Sequence, residues 1–162
     1  MIRRGKKEDS LDLAALSIQV WLHTYAKDGL RRGISSYPLD TFTEQYFNEM
    51  SQNQDYCLLV CIENNHLIGF IAANLKSYWQ DRANGYEIEI FYIQEYFQRR
   101  GFGRCLLTAL VDRCGTPFWL STWIYNENAI KFYRRMGFVD GGHKYFYLAG
   151  EAHKNLVLIQ RH

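Results

Sequence analysis

The chain has 162 residues, of which 48% are hydrophobic, 22% charged and 16% aromatic, and its formal net charge is +2. This composition suits one folded domain over residues 1–162, and the small net charge gives no support to a nucleic-acid partner. No apolar run is long enough to span a membrane, and the basic N-terminus is followed by Glu8 and Asp9 rather than by the apolar core of a signal sequence. We therefore expect a cytoplasmic protein with reduced thiols.

The N-terminal third of the chain predicts two helices. Apolar residues recur at helical spacing over residues 10–22, and Asp9 or Ser10 is placed to cap this first helix. A second amphipathic segment covers residues 39–50 and follows Pro38, a residue that suits the first turn of a helix. The segment between them is polar and contains glycine, so we expect a loop there.

Strands and helices alternate along the rest of the chain. Two β-rich runs, at 56–62 and 66–75, are joined by Glu63-Asn64-Asn65, which indicates a hairpin because asparagine tolerates positive φ. The later elements are a strand at 86–93, a glycine-bearing loop at 98–103, a helix ending near 114–117, a strand at 118–124, a helix at 128–136 and strands near 138–148 and 155–159. This order predicts a mixed α/β (α+β) fold, in which helices flank a mostly antiparallel sheet with one parallel crossover around the loop.

The loop Gln98-Arg99-Arg100-Gly101-Phe102-Gly103 lies between a predicted strand and a predicted helix. Its backbone N–H groups and the positive end of the helix converge, which suits a pyrophosphate. Gly101 and Gly103 leave room for close approach of the backbone to an anion. Three arginines can add contacts to phosphate oxygens, namely Arg99, Arg100 and Arg104. The loop is neither a Walker loop nor a complete dinucleotide fingerprint, and a basic turn whose glycines only bend the chain is the alternative.

A second motif lies downstream of the loop. Asn126 and Tyr133 are seven residues apart, and at ~100° per residue they return to within roughly 20° of the same helix face. An amide and a phenol would therefore point together, while Gly137 is placed to end the helix. The alternatives are that Asn126 caps the helix and that Tyr133 packs in the core.

Together the two motifs resemble the GCN5-related N-acetyltransferase (GNAT) family. The loop pattern of that family, Gln/Arg-x-x-Gly-x-Gly/Ala, is met by Gln98, Gly101 and Gly103, and the strand before the loop and the segment 126–138 after it look like the family's cofactor-binding core. More narrowly, the segment 119–138 is similar to the bacterial PaiA-type polyamine N-acetyltransferases. The segment at 113–117, just before the similar stretch, is shorter than in that subgroup.

The resemblance implies acetyl-CoA as a cosubstrate, no metal, and two parallel strands that splay apart at the acetyl-CoA site. Backbone N–H groups of residues 91–93 would hold the thioester oxygen and the pantetheine arm, and Asn126 would bind the pantetheine amide. The predicted cofactor-binding set is Phe91, Tyr92, Ile93, Gln98, Arg99, Arg100, Gly101, Phe102, Gly103, Arg104, Asn126, Asn128 and Tyr133.

Acetyl transfer to an amine requires a neutral nucleophile and a proton for the departing thiolate. Glu87 and Glu89 share one face of their strand, so either can take the ammonium proton and both can attract a cationic acceptor. A solvated strand face is the alternative interpretation of this pair. Tyr133 would donate the proton to sulfur. The cysteines show no nucleophile–base pattern and the histidines no ligand spacing, so we expect direct transfer without a metal.

We expect a polyamine or a similar primary amine as the acceptor. The alternatives are a peptide or protein amine, or a CoA-binding sensor without catalysis, against which Tyr133 argues. We expect no nucleic-acid or membrane partner, and a homodimer is common in the family that the chain resembles. Several aromatic residues are expected in the core or at its rim, with one or two available to a polyamine site: Tyr78, Trp79, Tyr86, Trp119 and Trp123.

Overall fold

A computed structural model describes residues 1–162 and contains seven strands and five α-helices. The strands are β1 (Ile2–Arg4), β2 (Tyr56–Glu63), β3 (His66–Tyr78), β4 (Tyr86–Ile93), β5 (Phe118–Trp123), β6 (Val139–Leu148) and β7 (Glu151–Gln160). The helices are α1 (Ser10–Tyr25), α2 (Arg32–Thr41), α3 (Glu44–Gln52), α4 (Phe102–Cys114) and α5 (Glu127–Arg135). No helix combines the length and the apolar character that crossing a bilayer requires.

The strands form one sheet in the order β1-β2-β3-β4-β5-β7-β6. Neighbouring strands are antiparallel except β4 and β5, which are parallel because α4 carries the chain back across the sheet between them. The structure confirms the predicted class, with helices on both faces of a mostly antiparallel sheet and one parallel crossover around the glycine-bearing loop.

Each face of the sheet has its own hydrophobic core. Helices α1, α2 and α3 cover one face with residues such as Leu13 and Phe47, and α4 and α5 cover the other with residues such as Leu106 and Ile130. We call these the α1–α3 face and the α4–α5 face. Both cores meet the central strand β4, which therefore lies between the two helical layers.

Two predicted turns are confirmed. Asn64 and Asn65 have φ of 48° and 64°, as the tight hairpin between β2 and β3 requires. Gly137 has φ of 94° and ends α5, a conformation that an L side chain rarely adopts.

The N-terminal region differs from the sequence prediction. The residues expected to form a polar loop contain the start of α2, and Pro38 lies inside that helix rather than in its first turn. The segment predicted as one helix over 39–50 divides at Thr43, whose hydroxyl accepts a hydrogen bond from the Tyr46 backbone (3.1 Å) and caps α3. A three-residue strand, β1, is also present, and it is too short to show a period in the sequence.

The capping role expected of Asp9 or Ser10 is also not observed. The carboxylate of Asp9 makes no capping bond to α1. It instead accepts hydrogen bonds from both terminal nitrogens of the Arg3 guanidinium, at 2.8 and 2.9 Å. Arg3 therefore holds the pKa of this carboxyl below its usual range, and the pair ties β1 to the start of α1.

Candidate active site

Strands β4 and β5 splay apart to form a notch in the sheet. They pair only at Tyr86–Phe118 and Glu87–Trp119, after which β4 continues beside β3 and β5 beside β7. The β4 edge over residues 88–93 thus faces no strand. Backbone groups on such an edge are available to a ligand that carries amides, as the pantetheine arm of CoA does. The notch includes the predicted residues Phe91, Tyr92 and Ile93.

A β-bulge shapes β4 beside the notch. Ala72 and Ala73 on β3 pair with Ile90 and Ile88, so Glu89 is an extra residue on β4. Ile88 packs with the α4–α5 face, whereas Ile90 packs with the α1–α3 face. The bulge therefore changes which face successive β4 side chains occupy.

The glycine-bearing loop presents a run of unpaired backbone donors. None of the N–H groups of residues 99–104 donates to a protein acceptor, and no side chain caps α4 at Gly101. Arg99 and Gly101 both have positive φ, at 61° and 89°, which turns successive N–H groups toward a common point. Unpaired N–H groups at a helix start are what a pyrophosphate site requires, and the pyrophosphate contact itself stays a prediction.

The side chains of the loop divide between packing and solvent. The Gln98 amide donates to the Ile93 carbonyl (3.0 Å), so it closes the loop onto the end of β4. The Arg100 guanidinium stands 5.2 and 5.5 Å from the ring centroids of Phe97 and Phe102. Arg99 and Arg104 are exposed. Their predicted contacts to phosphate oxygens stay predictions.

The two loop glycines serve different purposes. A Cβ on Gly103 would lie 3.0 Å from the Phe132 ring, so this glycine lets α4 approach α5. A Cβ on Gly101 would meet nothing within 4 Å, and its positive φ supports the turn that exposes the N–H groups.

A Gly101→Val variant is expected to weaken CoA binding by about tenfold or more, because a β-branched residue disfavours the positive φ and adds bulk beside the N–H groups. Isothermal titration calorimetry with CoA measures the change. Gly115→Val is the matched control, since Gly115 also has positive φ (74°) and open space but lies at the opposite end of α4. Equal CoA affinity in the Gly101 variant and the wild type would contradict the proposed phosphate site.

Asn126 and Tyr133 lie at the start and in the body of α5. Asn126 occupies the N-cap position but its side chain makes no capping hydrogen bond, so the capping alternative is wrong. Tyr133 is 8% exposed, and its ring packs 6.1 Å from Phe91 on the splayed part of β4 and 5.3 Å from Phe138. Burial alone raises the pKa of Tyr133, so the phenol keeps its proton at neutral pH. Asn128 is exposed.

Glu87 and Glu89 are half-buried and have specific partners, unlike residues of a solvated strand face. Glu89 accepts hydrogen bonds on both oxygens, from the Tyr56 hydroxyl (2.8 Å) and from the Asn74 amide (2.8 Å). Glu87 accepts one, from the Ser77 hydroxyl (2.7 Å), and its second oxygen accepts none. Burial raises the pKa of Glu87, although the Ser77 bond opposes the shift. Glu87 therefore has a free oxygen and an increased proton affinity.

Five aromatic residues gather on the α1–α3 face between α1, α2, β5 and β6. We call this group the aromatic cluster, and it consists of Trp21, Tyr25, Tyr37, Trp123 and Phe146. Ring centroids lie 4.5 Å apart for Trp21–Tyr25, 5.2 Å for Trp21–Tyr37, 5.2 Å for Tyr25–Trp123 and 5.1 Å for Tyr37–Phe146. Burial raises the pKa of Tyr25 to about 12.

Tyr37 is the member of the aromatic cluster whose pKa the Glu89 charge affects. Burial raises that pKa most, the interaction with Thr41 lowers it, and the charge of Glu89 raises it. Only Trp123 of the cluster was named from the sequence as a possible contact for a polyamine. The other four residues come from segments far apart in the chain, and no local pattern connects them. Among the other aromatic residues, Tyr86 and Trp119 are buried in the core, as expected.

The architecture around the notch defines a class of transferase, and comparison with known proteins gives its family. The model of the acetyltransferase (GNAT) family matches residues 21–138. A relative from Lactobacillus delbrueckii subsp. lactis, described as an uncharacterised N-acetyltransferase, is 22% identical over 94% of this chain and 91% of its own length. The chain therefore belongs to the GNAT family, whose members are acetyl-CoA-dependent N-acetyltransferases.

Solved structures show the same fold. PaiA N-acetyltransferase from Thermoplasma acidophilum, in complex with coenzyme A, is similar with a TM-score of 0.76 at 19% identity over 100% of this chain and 98% of that one. NAA60 from Arabidopsis thaliana, in complex with a bisubstrate analogue, is similar with a TM-score of 0.71 at 15% identity over 99% of this chain and 97% of that one. No group of three or more His, Cys, Asp or Glu side chains is arranged to hold a metal ion.

Proposed function

We propose that residues 1–162 act as one domain that transfers an acetyl group from acetyl-CoA directly to a primary amine of a small cationic acceptor, with a polyamine as the leading candidate. The observation that carries this proposal is the pair of half-buried carboxylates, Glu87 and Glu89, on the strand that forms one side of the notch. Carboxylates and aromatic faces are the groups that recognise alkylammonium ions. The similarity of segment 119–138 to PaiA-type enzymes supports the same acceptor class.

In this proposal a side chain or a backbone group of the protein acts in each chemical step. Glu87 takes a proton from the acceptor ammonium, because it has the free oxygen and the raised pKa. Unpaired N–H groups on the β4 edge hold the thioester oxygen while the amine nitrogen forms its bond to the carbonyl carbon. The carbon–sulfur bond then breaks, and Tyr133 donates its proton to the departing sulfur. The nitrogen loses its second proton as the amide forms, and this proton restores the phenol of Tyr133.

A contact between the α1–α2 link and the β6–β7 turn bears on the size of the acceptor. The Arg31 guanidinium, in the link between α1 and α2, lies 2.7 Å from the Glu151 carboxylate at the start of β7. A Cβ on Gly33 would lie 2.7 Å from the Ala149 Cβ in the β6–β7 turn, so the backbones also approach closely here. In this proposal the contact closes one end of the acceptor region, which favours a small amine over a folded polypeptide.

The test measures CoA release with a thiol reagent from acetyl-CoA and a panel of amines. The panel contains spermidine, spermine, a basic peptide and an aminoglycoside. Selective turnover of the polyamines is the expected result. Selective turnover of the peptide would replace the proposed acceptor with a polypeptide amine, and tight acetyl-CoA binding without turnover of any amine would favour a CoA-binding sensor.

A further inference from the structure

Two polar side chains on β7 each have a buried atom without a hydrogen-bond partner. Asn155 is 9% exposed, its Oδ1 is buried and unpartnered, and its amide nitrogen donates no hydrogen bond. The Nε2 of His153 is also buried and unpartnered, since the nearest carboxylate, that of Glu151, is 3.9 Å away. An unpaired buried polar atom destabilises a fold, so a pair of them indicates a ligand that supplies the missing partners.

The two side chains face the same region. They are two residues apart on one strand, so they share a face of the sheet and lie roughly 7 Å apart. Asn155 is directly opposite Trp123 on β5, and the His153 ring centroid is 6.2 Å from that of Trp123. Lys144, opposite Asn155 on β6, extends instead toward the Trp119 ring (5.4 Å).

The Trp123 ring is already a site for an ammonium group. The Lys27 ammonium, on an exposed side chain after α1, stands 5.8 Å from the ring centroid. An indole face attracts a cation through its quadrupole, and the attraction is stronger when water is excluded. The ring of the aromatic cluster that is next to the two unpaired side chains therefore has the chemistry to bind an amine.

Trp123 lies on the strand that forms the second side of the notch. Trp119 is the last β5 residue that pairs with β4, opposite Glu87, and Trp123 is four residues further on. Because β4 and β5 are parallel and Glu89 is an extra residue on β4, Trp123 lies level with Tyr92, which packs on the α1–α3 face. Strand β7 is the next strand after β5, about 5 Å further across the sheet.

We propose that Trp123, His153 and Asn155 form a subsite for the second, non-reacting nitrogen of a diamine or polyamine acceptor; the inference rests on the proposed function and names its substrate class more narrowly. The Asn155 oxygen and the His153 Nε2 accept hydrogen bonds from the ammonium, and the indole face of Trp123 contacts its charge. The first nitrogen meanwhile lies at the notch. The subsite selects acceptors with two nitrogens separated by a short alkyl chain.

The test compares butane-1,4-diamine with butylamine, which has the same carbon chain and lacks the second nitrogen. Calorimetry on the CoA-bound protein is expected to show tighter binding of the diamine by about tenfold, and Asn155→Leu is expected to abolish this difference. His153→Gln is expected to reduce it. His143→Gln is the matched control, since His143 is an exposed residue of the neighbouring strand β6.

A thermal melting curve tests whether the Asn155→Leu variant is folded. Leucine has a similar size and removes an unpaired buried amide, so the free variant is expected to melt at or above the wild-type temperature. Added butane-1,4-diamine is expected to raise the melting temperature of the wild type and not that of the variant. A lower melting temperature of the free variant would show that the amide has a partner within the fold, and would overturn the proposal.

The binding and turnover results separate this inference from the proposed function. If butane-1,4-diamine and butylamine bound with equal affinity and both were acetylated, the subsite would be overturned and the amine acetyltransferase assignment would stay in place. Preferential diamine binding that Asn155→Leu abolishes, without any acetylation, would support the subsite and overturn the proposed function.

Discussion

The Tyr133→Phe variant is expected to lose about 100-fold or more in kcat, while its KM for acetyl-CoA changes little. The phenol is the only proton donor that the proposed mechanism offers to the departing sulfur, and this proton is needed in the transition state rather than in the bound ground state. Burial raises the pKa of Tyr133, so the proton is present throughout the neutral range. Steady-state kinetics of CoA release measures the effect.

Tyr86→Phe is the matched control for this variant. Tyr86 is also 8% exposed and its pKa is also raised by burial, but its hydroxyl donates a hydrogen bond to the Gly115 carbonyl (2.8 Å) in the core. Its loss is expected to cost about 1 kcal/mol of stability and to leave kcat unchanged. Tyr133→Phe removes no hydrogen bond within the protein and is expected to melt near the wild-type temperature. A wild-type kcat in Tyr133→Phe would remove Tyr133 from the role of proton donor.

A second large effect is expected at Glu87. Glu87→Gln keeps the shape and the hydrogen bond from Ser77 but cannot accept the ammonium proton, so kcat/KM for the amine is expected to fall by about 100-fold. Because burial raises the pKa of Glu87, the acidic limb of the kcat/KM profile of the wild type should lie above the usual range of a glutamate. That limb should disappear in the variant.

The same pKa shift predicts a change in stability. A carboxyl whose pKa is raised in the folded state favours folding while it is protonated, and this contribution is lost as the pH rises through the folded pKa. Glu87→Gln should therefore be at least as stable as the wild type at neutral pH. Glu89→Gln replaces one acceptor oxygen with an NH2 group that faces a donor of Tyr56 or Asn74. This variant should therefore be less stable than the wild type. If Glu89→Gln lost its acidic limb and Glu87→Gln kept it, the base would be Glu89.

The part of the fold that local sequence determines was predicted well. The Asn64-Asn65 turn and Gly137 need positive φ, and that requirement is visible in the residue types. The division between α2 and α3 was not predicted, because the apolar pattern continues across it. The available signal was Thr43, because threonine is a residue type that often caps the start of a helix. Its hydroxyl accepts a hydrogen bond from the backbone N–H of Tyr46, three residues later.

The donor side of the candidate site was easier to predict than the acceptor side. The loop at 98–103 and the pair Asn126 and Tyr133 are each a local motif with a fixed spacing, so both are visible in the sequence. The aromatic cluster and the unpaired Asn155 depend on contacts among α1, α2, β5, β6 and β7. Such contacts have no signature in a single sequence, and an unpaired atom becomes visible only when its neighbours are placed.

Strict alternation along β4 would place Phe91 on the same face as Glu87 and Glu89. The extra residue at the bulge changes this, since Phe91 packs with the α4–α5 face and the carboxylates lie toward the α1–α3 face. Removing Glu89 alone would leave every later β4 residue on its present face. A single-codon deletion at this position therefore removes one negative charge from the acceptor side while the donor side keeps its arrangement.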